Sequence, residues 1–115
     1  MKFKKFLSGK IHQARVTRLD PEYEGSLSIC PILMDDAGIS PGEEILVADI
    51  ETGTRFVTYA IAGKKREIGV NGAAANTNIN LDDRLIIMAF QYIEVDEDID
   101  EAQIVYCDKY NEPDY

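Results

Sequence analysis

Short alternating apolar segments, each closed by a turn signal, recur along this chain at intervals of about eight to twelve residues, the pattern of a small all-β domain. Lys10 to Thr17 alternates Ile11, Gln13 and Arg15 against His12, Ala14 and Val16, which predicts a strand running into a polar loop. Ser26 to Cys30 alternates again, with Leu27 and Ile29 on one face. Pro31 at a helix N1 position and Gly38 beyond its end bracket a short helix. Glu44–Ile50 and Thr54–Ile61 flank Glu51-Thr52-Gly53, a hairpin signal with glycine available for positive φ. Gly63 to Arg66 reads as a basic turn, a brief strand ends at Asn71-Gly72, and the alanines after it suit one helical turn. Asp82-Asp83 leads into the most hydrophobic run, Leu85–Phe90, and a last strand is expected over Ile104–Cys107. Periodicity thus predicts a small closed β-barrel without repeats or linkers.

At 115 residues the chain fits one domain spanning 1–115. Its 21 acidic and 12 basic residues give a net charge of -9, which repels nucleic-acid backbones and anionic membranes. The charge is uneven: the first eighteen residues hold Lys2, Lys4, Lys5, Lys10, Arg15 and Arg18 and no acid. Complementary surfaces explain this as well as a cationic pocket for a small dianion does. Cys30 and Cys107 form no Cys-x-x-Cys pattern, so neither a disulfide framework nor a zinc site is indicated. No run approaches membrane-spanning length, and the basic Met1–Leu7 segment precedes no signal-peptide core. A soluble, cytoplasmic protein with buried thiols is expected.

One dipeptide carries chemistry that needs no added group. At Gly25-Ser26 a hydroxyl can attack the preceding carbonyl through a five-membered ring, and glycine neither crowds that carbonyl nor resists strained dihedrals. Elimination and hydrolysis would leave a pyruvoyl ketone at position 26, an electron sink made from the chain itself. Alone, Glu-Gly-Ser reads as a plain turn.

The blocks around it point further. Ser8-Gly9-Lys10-Ile11-His12, Arg15-Val16-Thr17, Tyr23-Glu24-Gly25-Ser26, Gly53-Thr54-Arg55-Phe56-Val57-Thr58-Tyr59-Ala60-Ile61 and Val70-Asn71-Gly72-Ala73-Ala74-Ala75 follow in order. From about Lys10 to about Phe90 the chain resembles the L-aspartate α-decarboxylase family, pyruvoyl enzymes that make β-alanine. The resemblance implies a double-psi β-barrel assembled as a homotetramer, with active sites between protomers. It implies self-cleavage into 1–25 and 26–115, a pyruvoyl group formed from Ser26, and neither metal nor pyridoxal phosphate. L-Aspartate would be the substrate and pantothenate and coenzyme A synthesis the destination; whether an accessory protein drives maturation is left open.

Residue by residue, Arg55 matches the family's substrate arginine, whose planar fork suits a carboxylate. Lys10 matches a second cation near the substrate, and Tyr59 the phenol that returns a proton to carbon. Thr58 matches a threonine that assists cleavage, with a hydroxyl aimed at the Gly25 oxyanion as the physical reason. Asn71, Gly72, Ala73 and Ala74 match the pocket lining, and Tyr23 and His12 positions near the cleavage loop. Each residue has a plainer reading: Arg55 an exposed strand ion pair, Lys10 solvated surface, Thr58 and Tyr59 strand packing, Asn71-Gly72 a turn. A regular strand also sets Arg55 and Tyr59 roughly 13 Å apart, with Thr58 on the opposite face. Departures from the family pattern are Asn76 after the alanines, a turn before Val70 that looks two residues short, and a brief C-terminal tail. The competing class is a noncatalytic double-psi barrel that binds a protein through its acidic face. A serine hydrolase is disfavoured because Glu24-Gly25-Ser26-Leu27-Ser28 lacks the Gly-x-Ser-x-Gly elbow.

Overall fold

A computed structural model describes residues 1–115. Eight strands form one hydrogen-bonded series: β1 (Phe3–Arg15), β2 (Arg18–Asp20), β3 (Ser26–Ile29), β4 (Glu44–Asp49), β5 (Arg55–Ala62), β6 (Ile68–Asn71), β7 (Arg84–Glu94) and β8 (Gln103–Tyr106). Their spatial order is β2-β6-β3-β5-β4-β7-β1-β8. One helix, α1 (Pro31–Ala37), and a 3₁₀ turn at Gly72–Asn76 complete the chain.

The connection between β1 and β2 forces this sheet to roll. Six strand spacings separate the two in the sheet order, about 29 Å if the sheet lay flat, whereas only Val16 and Thr17 join them and can reach about 11 Å. The joint is stitched to both sides: Val16 N–H donates to Asp83 O at 3.0 Å and Thr17 N–H to Ile68 O at 2.8 Å. The result is mainly β and barrel-like, as expected, but it is not closed by a ladder: β2 and β8 are edges.

Inside the roll, Ile11, Leu27, Ile29, Leu33, Ile45, Val47, Ile68, Val70, Leu85 and Ile87 are fully buried. Each contributes about 1.5–3 kcal/mol relative to exposure. Pro31 starts α1, which buries Leu33, Met34 and Ala37, and the left-handed Gly38 stops it, its N–H donating to Asp35 O and that of Ile39 to Met34 O. Both cysteines are buried and free; burial pushes the Cys107 thiol up to about 12. No helix is long and apolar enough to cross a membrane.

Two expectations need correction. The alternation assigned to Lys10–Thr17 breaks at Gln13, whose φ of 67° accompanies a bulge between His12 and Ala14 in the β1/β7 register. Ile11 and Ala14 therefore both face the core instead of lying on opposite faces. Arg18–Asp20, expected to be loop, is a strand, because β6 offers it a parallel partner.

Candidate functional site

β3 lies between β5 and β6, and its alternation sorts its four residues cleanly. Leu27 and Ile29 enter the core; Ser26 and Ser28 take the other face, yet they too are covered, at 1% and 4% exposure. What covers them is a polar cluster. Asn71, paired with Ser26 across the antiparallel β3/β6 ladder, donates from Nδ2 to Ser26 Oγ and to Ser28 Oγ, both at 3.0 Å. Ser26 Oγ in turn donates to Glu24 O at 3.0 Å. The Asn71 Oδ1 is buried with no partner.

A second row stands beside this one. Arg18, Gly69 and Ser28 are register partners across β2, β6 and β3. A β-carbon on Gly69 would lie 2.5 Å from Arg18 Nη2, so the bare glycine lets the guanidinium cross to Ser28 Oγ, to which Nη2 donates at 3.3 Å. Glu67 and Asp20 hold the rest of the fork at 3.3 and 3.4 Å.

The cleavage loop packs on Gly72. This residue has a φ of +77°, and a β-carbon there would meet Gly25 Cα at 2.6 Å, Gly25 N at 2.9 Å and the Tyr23 carbonyl oxygen at 3.2 Å. Gly25 itself has no neighbour within 4 Å of where its β-carbon would be and does not adopt positive φ. The left-handed glycine of this region is thus Gly72 rather than Gly25. The 3₁₀ turn that follows leaves Ala73 exposed and Ala74 and Ala75 half-buried against the core.

Extending the parallel register Leu27↔Ala60 by one and two residues sets Tyr59 alongside Ser26 and Thr58 alongside Gly25. The hydrogen bonds holding the Ser26 hydroxyl come from Asn71 and Glu24 rather than from these two. Gly25, Ser26, Tyr23, Asn71 and Gly72 are therefore gathered, with Thr58 and Tyr59 on the adjoining strand.

The remaining candidates stand apart. Arg55 is exposed at the far end of β5 and takes part in none of the ion pairs, which use Arg18, Arg66 and Arg84. Lys10 shares a row with Met88, Leu46 and Val57, three strand spacings or about 14 Å from β5. His12 packs edge-on against Tyr106 at 5.5 Å; burial first, then the charges of Lys10 and Arg84, hold its pKa below the usual value. On the outer face, from the Lys10 row toward the side away from Arg55, lies a shallow cleft of about 370 Å³ lined by Lys5, Glu44, Leu46, Val57, Phe90 and Tyr92.

Elsewhere, Asp49, Glu51 and Asp83 bring carboxylate oxygens within 4.8 Å of one another. Arg84 clasps Glu51 at 2.7 Å and holds its carboxyl down at about 2, while burial, followed by the neighbouring Asp83 carboxyl, pushes Asp49 up to about 6. The Arg84 guanidinium thus balances part of the charge of this group.

Sequence reasoning passed over Arg18 and Ser28. The available signal was Ser26-x-Ser28, two hydroxyls at period two on a strand whose alternate residues are apolar.

The fold is of the mainly β, barrel-like class, and its β3 opens with a covered serine that follows an uncrowded glycine. Sequence comparison makes this specific: the chain belongs to the aspartate decarboxylase family, whose model matches residues 1–114. It is 43% identical over 107 residues to an aspartate 1-decarboxylase of Coprothermobacter proteolyticus, covering 91% of this chain and 88% of that one. An aspartate 1-decarboxylase of Legionella pneumophila is 45% identical over 114 residues, with 96% and 85% covered. That of Halorhodospira halophila reaches 52% over 86 residues, with 73% and 68% covered.

Proposed function

We propose that this chain decarboxylates L-aspartate to β-alanine and carbon dioxide for pantothenate and coenzyme A synthesis, after cutting itself between Gly25 and Ser26. The hydroxyl of Ser26, held by Asn71 beside an uncrowded glycine, is the observation that carries the reading. In the cut, a bond forms from Ser26 Oγ to the Gly25 carbonyl carbon, the Gly25–Ser26 peptide bond breaks, and the hydroxyl proton passes to the departing nitrogen. Loss of the Ser26 α proton with cleavage of its Cβ–Oγ bond then frees the Gly25 carboxylate. Water replaces the nitrogen, which leaves as ammonia. Thr58, alongside Gly25, is assigned as the donor to the oxyanion.

A pyruvoyl group at position 26 fits the residues present, because a serine at a strand end with open space beside Gly25 is its only covalent requirement. Once formed it supplies the ketone that withdraws the electron pair released with carbon dioxide. Arg55, unpaired and exposed, binds the side-chain carboxylate with its fork, and Lys10 adds a second positive charge. Tyr59, next to position 26 in register, returns the proton to carbon.

The distance of Lys10 and Arg55 from Ser26 supports sites shared between protomers of a homotetramer in the cytoplasm. The exposed Val57 and Tyr92 on the outer face suit such contacts. Residues 1–115 then act as one domain, matured into fragments 1–25 and 26–115. Intact-mass analysis of aged, active protein tests the proposal. Two fragments are expected, the larger one lighter by ammonia than a chain beginning with serine; a continuous active polypeptide refutes it.

A further inference from the structure

We infer that Arg18 and Ser28 are positioning residues for self-cleavage, acting on Ser26 through the side-chain amide of Asn71; this rests on the self-cleavage reading above. An asparagine amide turns about a broad, roughly two-fold torsion, so something must decide which end faces the serine. Here the decision is made two residues beyond the nucleophile. The two Nδ2 hydrogens of Asn71 are divided between Ser26 Oγ and Ser28 Oγ. Arg18, a group with donors only, holds Ser28 Oγ in place from the other side. Reversing the amide would put its two N–H groups where the buried Oδ1 now lies without a partner, and unpaired donors there cost more than one unpaired acceptor. The chain of contacts therefore runs Arg18 to Ser28, to Asn71, to Ser26, and ends at the Glu24 carbonyl that takes the Ser26 proton in a hydrogen bond.

Neither Arg18 nor Ser28 touches the bond to be cut. Their contribution is to narrow the range of Ser26 rotamers, and misplacing a nucleophile by even 1 Å can cost about 10²-fold in rate. The bare Gly69 between them has the same logic, since any side chain there would displace the guanidinium.

The test is a cleavage time course on freshly purified precursor, followed by intact-mass spectrometry, with thermal unfolding measured in parallel. Ser28→Ala and Arg18→Ala are each expected to slow the appearance of fragment 26–115 at least about tenfold. Ser28→Thr, which keeps the hydroxyl, should stay within about threefold of wild type. The double variant should be no slower than the slower single one, because both act through one amide. Wild-type cleavage rates in Ser28→Ala and Arg18→Ala overturn the inference while leaving self-cleavage standing. So does Ser28→Thr as slow as Ser28→Ala at unchanged melting temperature. A wild-type chain that stays whole in active preparations overturns the self-cleavage reading itself, and this inference with it.

Discussion

Gly72 leans on Gly25 so closely that a single added methyl group at position 72 would lie 2.6 Å from the Gly25 Cα. The contact fixes the loop before the scissile bond against the end of β6, and the φ of +77° at Gly72 is open to glycine at little cost. Gly72→Ala is therefore expected to lower stability by about 1–3 kcal/mol and to slow cleavage, through strain and through displacement of the loop. A melting curve and a fragment time course check both. Wild-type values for the two would show that the loop is held by something else.

Gly25 should behave in the opposite way. Its β-carbon position is open and its φ is not left-handed, so Gly25→Ala should fold and melt like the wild type. The added methyl crowds the carbonyl only when Ser26 Oγ attacks, and cleavage should slow by at least about tenfold, or ~1.4 kcal/mol of barrier. If the variant is destabilised but cut at the normal rate, the two glycines have been assigned the wrong way round.

The strands and turns of this fold were largely legible in the sequence because their signals are local. Pro31 and Gly38 bracket α1, Gly53 with its φ of 77° makes the β4–β5 turn, and the run from Leu85 lies in β7 as expected. What escaped depends on partners far along the chain. β1 opens with the exposed Phe3, Lys4 and Lys5 and is held there by pairing with β7, and β2 is three polar-flanked residues that pair only with β6. The bulge at Gln13 shifts the register by a residue, and periodicity cannot show where a strand slips. At the site, Gly25, Ser26 and Asn71 were found from motif order, and they do meet. Arg18 and Ser28 were not, because nothing in sequence reveals that Gly69 clears a path between them. Lys10 and Arg55 lie apart because they sit on strands separated by β7 and β4.

Arg55 and Tyr59 separate binding from chemistry. Arg55 has no ion-pair partner to lose, so Arg55→Ala should melt like the wild type but raise the KM for aspartate by about tenfold or more, since a charge-assisted hydrogen bond contributes about 1.5–3 kcal/mol. Tyr59→Phe should mature normally, because Asn71 and Glu24 rather than Tyr59 hold the Ser26 hydroxyl, and should lower kcat by about 10²-fold through loss of the proton donor. Saturation kinetics on fully cleaved protein decide both. An unchanged KM removes Arg55 from the substrate, and an unchanged kcat removes Tyr59 from proton return.

Asp49 gives the fold a pH dependence separate from the active site. Its Oδ1 accepts N–H donors from Glu51 at 2.8 Å and Thr52 at 3.2 Å, closing the β4–β5 turn, while its Oδ2 is buried without a partner. Burial, with the adjacent Asp83, raises its carboxyl from 3.8 to about 6. The folded chain therefore keeps a proton that the unfolded chain has released between those values. Stability from this group is complete below the unfolded value and is lost as pH rises through about 6. Asp49→Asn preserves the two turn bonds, removes the charge and turns an N–H toward Asp83. At pH 7.5 it should stabilise the protein by an amount on the order of 2 kcal/mol, a rise of several degrees in melting temperature, and near pH 4 the gain should vanish. Glu51, held down at about 2 by Arg84, loses its contribution as pH falls through that value, but equally in both proteins, so it cancels in the comparison. A variant that melts at or below the wild type at pH 7.5 would show that Asp49 is ionised at no cost in the native fold.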